Sequence, residues 1–197
     1  METFFFAFVV VCFFNSLVST TRIWHDQSRF ANSNIQIDMI LLNAAMALTI
    51  AADYFMLVRY DNLTGLCFFC AVQTTYHIRY IRHIRYTPVK QVARIIIQIM
   101  ACVIVIILPL NNPALTMGKM ACAYAICLLF SVYAACLSAK KCRTRNSIIA
   151  ATGMLLFLLC DLCVGLYNLT PGYGTQNIFY CLTWFFYLPS QALLSVS

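Results

Sequence analysis

The sequence contains few charged residues and few residues that interrupt helices. Only 10% of its 197 residues are charged, and it has six glycines and five prolines. Soluble domains carry about 25% charged residues, so a water-soluble globular protein is excluded. A disordered chain needs low hydrophobicity and a collagen-like chain needs glycine at every third position. Both of these classes are therefore excluded as well.

Long apolar runs make up most of the chain. Hydrophobic residues account for 62% of it and the mean hydropathy is +0.82. With about 20 residues per membrane-spanning helix, the length suffices for about six to eight spans. The eleven cysteines lie mostly within the apolar runs, where they act as small apolar side chains. We predict an all-α, polytopic transmembrane helix bundle, organised as a single transmembrane domain over 1–197.

Seven apolar runs are expected to form the helices, because lipid leaves an open strand edge without hydrogen-bond partners. The first run is counted as a span, since Glu2 stands where a signal peptide has a basic segment and no clear cleavage site follows. The predicted spans are Thr3–Thr20, Ile35–Val58, Leu63–Ile81, Val92–Leu110, Thr116–Ala139, Ser147–Tyr167 and Asn177–Val196.

The positive charges are distributed unevenly between the two sides of this bundle. Of the thirteen Lys and Arg, all but Arg59 and Lys119 fall on the side of the first, third and fifth loops. The positive-inside rule makes that side cytoplasmic, so seven spans place the N-terminus outside and the C-terminus in the cytoplasm. Three arginines of a three-residue repeat are predicted to lie at the cytoplasmic boundary and to contact membrane lipids: Arg79, Arg82 and Arg85. No nucleic-acid partner is expected there.

Two carboxylates lie inside apolar runs. Asp53 and Asp161 each stand about 8–9 Å below the outer end of an outward-running helix, at 1.5 Å per residue. A charge at bilayer depth costs about 2.5–3.5 kcal/mol, which makes both residues candidates for a shared functional pocket. The alternative is that each only hydrogen-bonds a neighbouring helix. The other carboxylates are expected to be solvated or interfacial: Glu2, Asp26, Asp38 and Asp61.

Four polar residues in other spans are candidates to line such a pocket. Gln73 and Tyr76 lie three residues apart, and Tyr187 and Gln191 lie four apart, so each pair shares a helix face. A single glutamine in a span is more often an interhelical hydrogen-bonding group than a catalytic one. Pro189 predicts a kink or a freed carbonyl beside Gln191, which would open space between helices.

Two stretches of the sequence carry a family resemblance. In Asn43–Tyr80, an Ala-rich span ends near an Asp, and a short polar turn leads to Gly65 and Phe69. In Gly153–Ser195, Gly-Met-Leu-Leu-Phe-Leu-Leu-Cys-Asp is followed in the next span by Tyr-Leu-Pro-Ser-Gln-Ala-Leu-Leu-Ser. With this order and placement, the chain resembles the YhhN-type lysoplasmalogenases over about half its length.

The chain departs from the pattern of that family at several points. The family usually has Gly before the first Asp, Ser before the second, and His at the position of Gln73. Here Ala52 and Cys160 precede the two acids. The family norm is eight spans, and this chain lacks the second.

The resemblance implies a membrane-embedded hydrolase without a cofactor or metal. Its substrate would be a lysophospholipid, a lysoplasmalogen, whose vinyl-ether bond is cleaved to a fatty aldehyde and a glycerophospho head-group alcohol. Asp53 and Asp161 would form the catalytic acid/base pair. The residues that would bind substrate are Gln73, Tyr76, Tyr187 and Gln191.

Two other functional classes stay open at this point. A small transporter or proton-coupled channel would use the same acids to relay protons or bind a cation. A non-catalytic receptor or assembly protein would use them only to hold helices together. Two C-x-x-C pairs begin at Cys67 and Cys160 but lie within predicted spans, and the three histidines lack zinc-protease spacing. No metal site is expected.

Overall fold

The computed structural model describes residues 7, 9–15, 17, 18, 21, 33–84, 87–107, 114–169 and 176–197. The described residues before position 22 are helical, and the rest of the first predicted span lies outside the described residues. From residue 33 onward the described chain forms only helices, which confirms the all-α prediction. These are α1 (Ser33–Asp53), a π-helix (Tyr54–Val58), α2 (Asn62–His83), α3 (Pro88–Ile107), α4 (Ala114–Cys142), α5 (Arg145–Leu169) and α6 (Gln176–Ser195).

Among these helices, four segments are long and apolar enough to cross a membrane. They are Ile35–Val58, Val89–Ile107, Thr116–Cys142 and Arg145–Leu169. Helices α2 and α6 are of similar length, with 22 and 20 residues, but α2 includes the polar run Gln73-Thr-Thr-Tyr-His. The seven-span count and the orientation remain predictions.

Helix α2 lies at the centre of the described bundle. It packs against α1, α3 and α4, and α5 packs against α4 and α6. Helix α3 lies at the periphery, where Ile96, Ile104 and Ile107 are exposed. Its buried Gln98 hydrogen-bonds His77 of α2 and donates to Thr74 Oγ1 at 3.1 Å. A helix with a largely exposed apolar surface and a few polar attachments fits a lipid environment.

A tight connection joins α1 to α2. Tyr60 adopts a positive φ of 53°, and Asp61 then caps α2 by accepting a hydrogen bond of 3.1 Å from the backbone N–H of Thr64. This hydrogen bond lowers the pKa of Asp61 below its ordinary value. Asp61 is exposed, as predicted. The connection lets the start of α2 pack closely against the end of α1.

A buried ion pair joins α1 to α2 near their other ends. Arg79 donates to both carboxylate oxygens of Asp38, at 2.8 and 3.1 Å, and also donates to the carbonyl of Ser197 at 2.7 Å. His83 contacts the same carboxylate at 2.8 Å. Arg79 is only 3% exposed, because its guanidinium is turned inward to Asp38. Its position at the cytoplasmic boundary stays a prediction, and its side chain is directed to Asp38 and Ser197 rather than to the surroundings. Asp38 is correspondingly an ion-paired residue rather than a solvated one.

The structure describes only some of the other residues that were predicted to lie at the boundary or in loops. Arg82 is half-buried, and its contact with lipid stays a prediction. Several residues that the sequence assigned to the boundary or to loops lie outside the described residues: Glu2, Arg22, Asp26, Arg29 and Arg85.

Replacing Gly65 with Ala should destabilise the protein. A Cβ at Gly65 would lie 2.2 Å from Met56 Cγ and 3.3 Å from the Ala52 carbonyl oxygen. Overpacking of this kind costs about 1–3 kcal/mol, more than the gain of up to about 1 kcal/mol from helix propensity. We expect a lower free energy of unfolding for Gly65→Ala in mixed detergent micelles. Gly118→Ala in α4 is the control, since its Cβ would meet nothing within 4 Å, and equal stability of the two variants would contradict the close packing.

Candidate functional site

Asp53 lies at the point where α1 changes into the π-helix. Its side chain is buried, with the residue only 5% exposed. Asp53 Oδ2 accepts a hydrogen bond of 2.5 Å from the Tyr187 hydroxyl of α6. Single π-helical turns are frequent at functional sites. The contact thus brings together two of the residues that the sequence singled out, from opposite ends of the described chain.

Asp161 is held in the same manner on α5. Its Oδ2 accepts a hydrogen bond from the Tyr124 hydroxyl of α4. Asp161 is only partly buried, whereas the preceding Cys160 is buried. One acid is therefore enclosed by the bundle, and the other keeps some access to the surroundings.

The two carboxyl groups are connected through one cluster of aromatic rings. Tyr187, which binds Asp53, packs against Phe157. Tyr124, which binds Asp161, packs against Phe69 with ring centroids 5.8 Å apart. Phe157 joins the two halves of the cluster, with its ring centroid 5.9 Å from that of Tyr187 and 6.1 Å from that of Phe69. The walls around the acids are thus aromatic, and each acid has its own tyrosine donor.

Two buried glutamines lie near this acid pair. Gln73 Oε1 accepts a hydrogen bond of 2.6 Å from Ser131 of α4, and its amide lies beside the Tyr124 hydroxyl. Gln73 Nε2 makes no hydrogen bond of normal geometry in the described structure, and neither polar atom of Gln191 makes one. Gln191 stands one helical turn after Tyr187 on α6. Such orphaned amide groups in an apolar interior are costly, and they would be satisfied by a polar ligand or water.

Tyr76 lies farther from the acids. Its hydroxyl donates to Met46 Sδ at 3.5 Å, and its ring stacks on Tyr80 with centroids 5.9 Å apart. No described hydrogen bond joins it to Asp53 or Asp161. Tyr76 is buried in α2, but its surroundings are those of the Arg79 end of the helix, and its predicted role in substrate binding stays a prediction.

Tyr124 and Ser131 are site residues that the sequence reasoning missed. Both lie in α4, whose apolar run showed no recognised motif. Tyr124 is eight residues into the predicted span, or about 12 Å at 1.5 Å per residue, a depth similar to that of Asp161. Tyr124 could have been predicted as a partner of Asp161, because its hydroxyl lies at a similar depth in the span. Pro189 lies within α6, which continues to Ser195, and its predicted kink stays a prediction.

The fold and the site together define a class: a helical membrane protein with two aspartates that are each bound by a tyrosine hydroxyl from another helix. The family model described as the YhhN family matches residues 3–197, and the chain belongs to that family. Neither the curated proteins nor the solved structures contain a match.

The hydrogen bond between Tyr187 and Asp53 should appear as a coupling in a double-mutant cycle. We expect Asp53→Ala, which removes the acceptor, and Tyr187→Phe, which removes the donor, to be non-additive in the free energy of unfolding by about 0.6–1.7 kcal/mol, the range for hydrogen bonds inside membrane proteins. The measurement is an SDS titration in mixed micelles. Asp61→Asn combined with Tyr187→Phe is the control pair and should be additive, because Asp61 is exposed in the α1–α2 connection. Additivity of both pairs would show that the buried contact does not hold the helices.

Proposed function

We propose that the protein is a lysoplasmalogenase-like hydrolase that cleaves the vinyl-ether bond of a lysophospholipid, with Asp53 and Asp161 as its acid/base pair. The observation that carries the proposal is that the two tyrosines which donate to these acids belong to one buried cluster of aromatic rings. Membership in the YhhN family supports the same conclusion.

The chemistry of vinyl ethers requires an acid. Hydrolysis begins when a carboxylic acid delivers its proton to the β-carbon of the double bond, which leaves an oxocarbenium ion at the carbon that bears the oxygen. Two neighbouring carboxyl groups in apolar surroundings share one proton at least cost, because both cannot easily be ionised together. The pair thus supplies one proton donor and one carboxylate in the same place.

The ionised member of the pair completes the reaction. Its negative charge stabilises the oxocarbenium ion, and it accepts a proton from the water that adds to the cationic carbon. The resulting hemiacetal collapses with cleavage of the bond between that carbon and the glycerol oxygen, which takes up a proton. The products are a fatty aldehyde and a glycerophospho alcohol.

The polar neighbours of the acids have supporting roles in this proposal. The hydroxyls of Tyr187 and Tyr124 donate to Asp53 and Asp161 and so fix the orientation of both carboxyl groups. The orphaned amides of Gln73 and Gln191 are suited to hold the water or the glycerol hydroxyl of the substrate. Because Asp161 is only partly buried, a lipid substrate would reach the site from its side. Tyr76 remains a weaker candidate, since its contacts lie elsewhere.

Substitution of either acid should abolish aldehyde release. Each acid/base group contributes about 10²–10⁴-fold to such a reaction, so Asp53→Asn and Asp161→Asn should each lower the rate by that factor. Aldehyde is measured after adding lysoplasmalogen to the purified protein in detergent. Asp61→Asn, which changes an exposed carboxylate in the connection, should keep the full rate.

The same variants distinguish the other functional classes. Elution volume and unfolding midpoint show whether each Asn variant is folded. If the unmodified protein releases no aldehyde but gives acid-dependent flux in liposomes, the acids serve transport. If both Asn variants lose activity only because they unfold, the acids hold the helices together, and the catalytic proposal fails.

Gln191 is predicted to contribute to substrate binding at a cost to the stability of the folded protein, and a substitution tests both effects. Gln191→Met removes a buried amide without hydrogen-bond partners while keeping a similar unbranched shape. Burial of an unsatisfied polar group costs about 1–3 kcal/mol, so the variant should unfold at a higher temperature. Its kcat/KM for aldehyde release should nevertheless fall, because the amide no longer holds substrate or water. A variant that is less stable and fully active would contradict this role.

A further inference from the structure

A large cavity lies at the end of the bundle opposite the acid pair. Its volume is about 770 Å³, and its walls come from the end of α2, the α4–α5 connection and the first turns of α5, together with Asp38 and Ser197. This volume lies within the range of about 300–1,000 Å³ that is typical of small-ligand sites. We refer to it as the basic cavity, after its lining cations Arg79, Arg82 and Lys141.

Positive charge exceeds negative charge in the lining of the basic cavity. Asp38 is the only described lining residue with a carboxylate side chain, and Arg79 and His83 both bind it. Arg82 is half-buried and forms no ion pair with a described residue. The N-terminal residues Asn146 and Ser147 of the 25-residue helix α5 also line the cavity. Thr144 already accepts the Ser147 N–H, so this helix end contributes its dipole, which favours an anion. Together with the half-buried Arg82, the lining is suited to an anionic ligand.

A buried hydroxyl group without a partner lies in the same wall. Tyr80 lines the cavity and is 2% exposed, and its hydroxyl makes no hydrogen bond of normal geometry, although it lies beside the Arg79 guanidinium. The ring is fixed by stacking on Tyr76. A fixed phenolic hydroxyl beside arginine side chains is a suitable donor to an anion oxygen, and a bound anion would remove the cost of leaving it unpaired.

We propose that the basic cavity binds a phosphate group, carried either by a lipid head group or by a soluble phosphate ester. Arg82 and Lys141 would supply charge to the phosphate oxygens, and Tyr80 would donate a hydrogen bond. Arginine matches the geometry of phosphate oxygens better than other cationic side chains do. The Arg79–Asp38 ion pair would form the rigid wall behind them.

The basic cavity is too far from the acid pair to be part of the same substrate site. At 1.5 Å per residue, Asp38 lies about 22 Å from Asp53 along α1. By the same measure, Ser197 lies about 15 Å from Tyr187 along α6. In a lysophospholipid, the phosphate and the vinyl ether are joined by the glycerol backbone alone, which spans about 8 Å with bonds near 1.5 Å. One substrate molecule cannot occupy both places. The proposal therefore stands independently of the proposed hydrolase activity.

The test measures ligand-dependent thermal stabilisation of the full chain in nanodiscs of phosphatidylcholine. One arm adds inorganic phosphate at constant ionic strength, and the other replaces part of the lipid with phosphatidic acid. A ligand that binds the folded state raises the unfolding midpoint. Stabilisation by phosphatidic acid alone identifies a head-group site, and stabilisation in both arms identifies a site for the phosphate group itself. Stabilisation in neither arm overturns the proposal.

Matched charge variants locate the site. The double variant Arg82→Gln/Lys141→Gln should lose the stabilisation. Arg59→Gln/Lys119→Gln, which removes two cations outside the cavity lining, should retain it. Equal loss in both double variants would indicate a general charge effect and would overturn the proposal, as would full retention in the cavity variant.

A conservative change keeps the test valid if the double variant does not fold. Tyr80→Phe retains the stacked ring and removes only the hydroxyl, so phosphate affinity should fall about tenfold, as for one lost hydrogen bond to a charged group. Unchanged affinity in Tyr80→Phe would overturn the assigned contact.

The KM for aldehyde release should be unchanged in Arg82→Gln/Lys141→Gln, and a raised KM would show that the cavity belongs to the substrate site after all.

Discussion

The hydrogen bond from Tyr187 to Asp53 joins α6 to α1, and the relative placement of these two helices depends on such polar contacts. In lipid, apolar side chains gain little by leaving their surroundings, so close packing and interhelical hydrogen bonds decide which helices are neighbours. A second connection between the same regions comes from Arg79, which binds Asp38 of α1 and Ser197 beyond α6. Two polar contacts at different depths thus fix α6 against α1 and α2.

The same requirement for polar partners creates the candidate site. An aspartate at membrane depth is tolerated where donors surround it, and each of the two acids has one tyrosine hydroxyl as donor. The tyrosines come from α4 and α6, so the site exists only when four helices are assembled. The side-chain amides of Gln73 and Gln191 lack some of their hydrogen-bond partners in the described structure. A binding site in a membrane interior needs such incompletely paired groups.

The sequence was most informative where a residue is costly to bury. Asp53 and Asp161 could be singled out because a carboxylate in an apolar run has a large penalty, and the helices followed from the apolar runs. Tyr124 was missed because tyrosine is compatible with a core, an interface or a site. The Arg79–Asp38 pair was missed because both residues lie near helix ends, where water is an equally good partner. Their pairing depends on which helices are neighbours, and that information is tertiary.

The separation between the acid pair and the basic cavity decides which charges control the proposed proton transfer. At about 20 Å and an effective dielectric constant of 20, two unit charges interact by about 0.8 kcal/mol, against about 4 kcal/mol at 4 Å. The cations of the basic cavity therefore have little influence on how Asp53 and Asp161 share a proton. Each carboxyl group responds mainly to its burial in the bundle and to its tyrosine. Acid/base function and anion binding can for this reason be located in one small bundle without opposing each other.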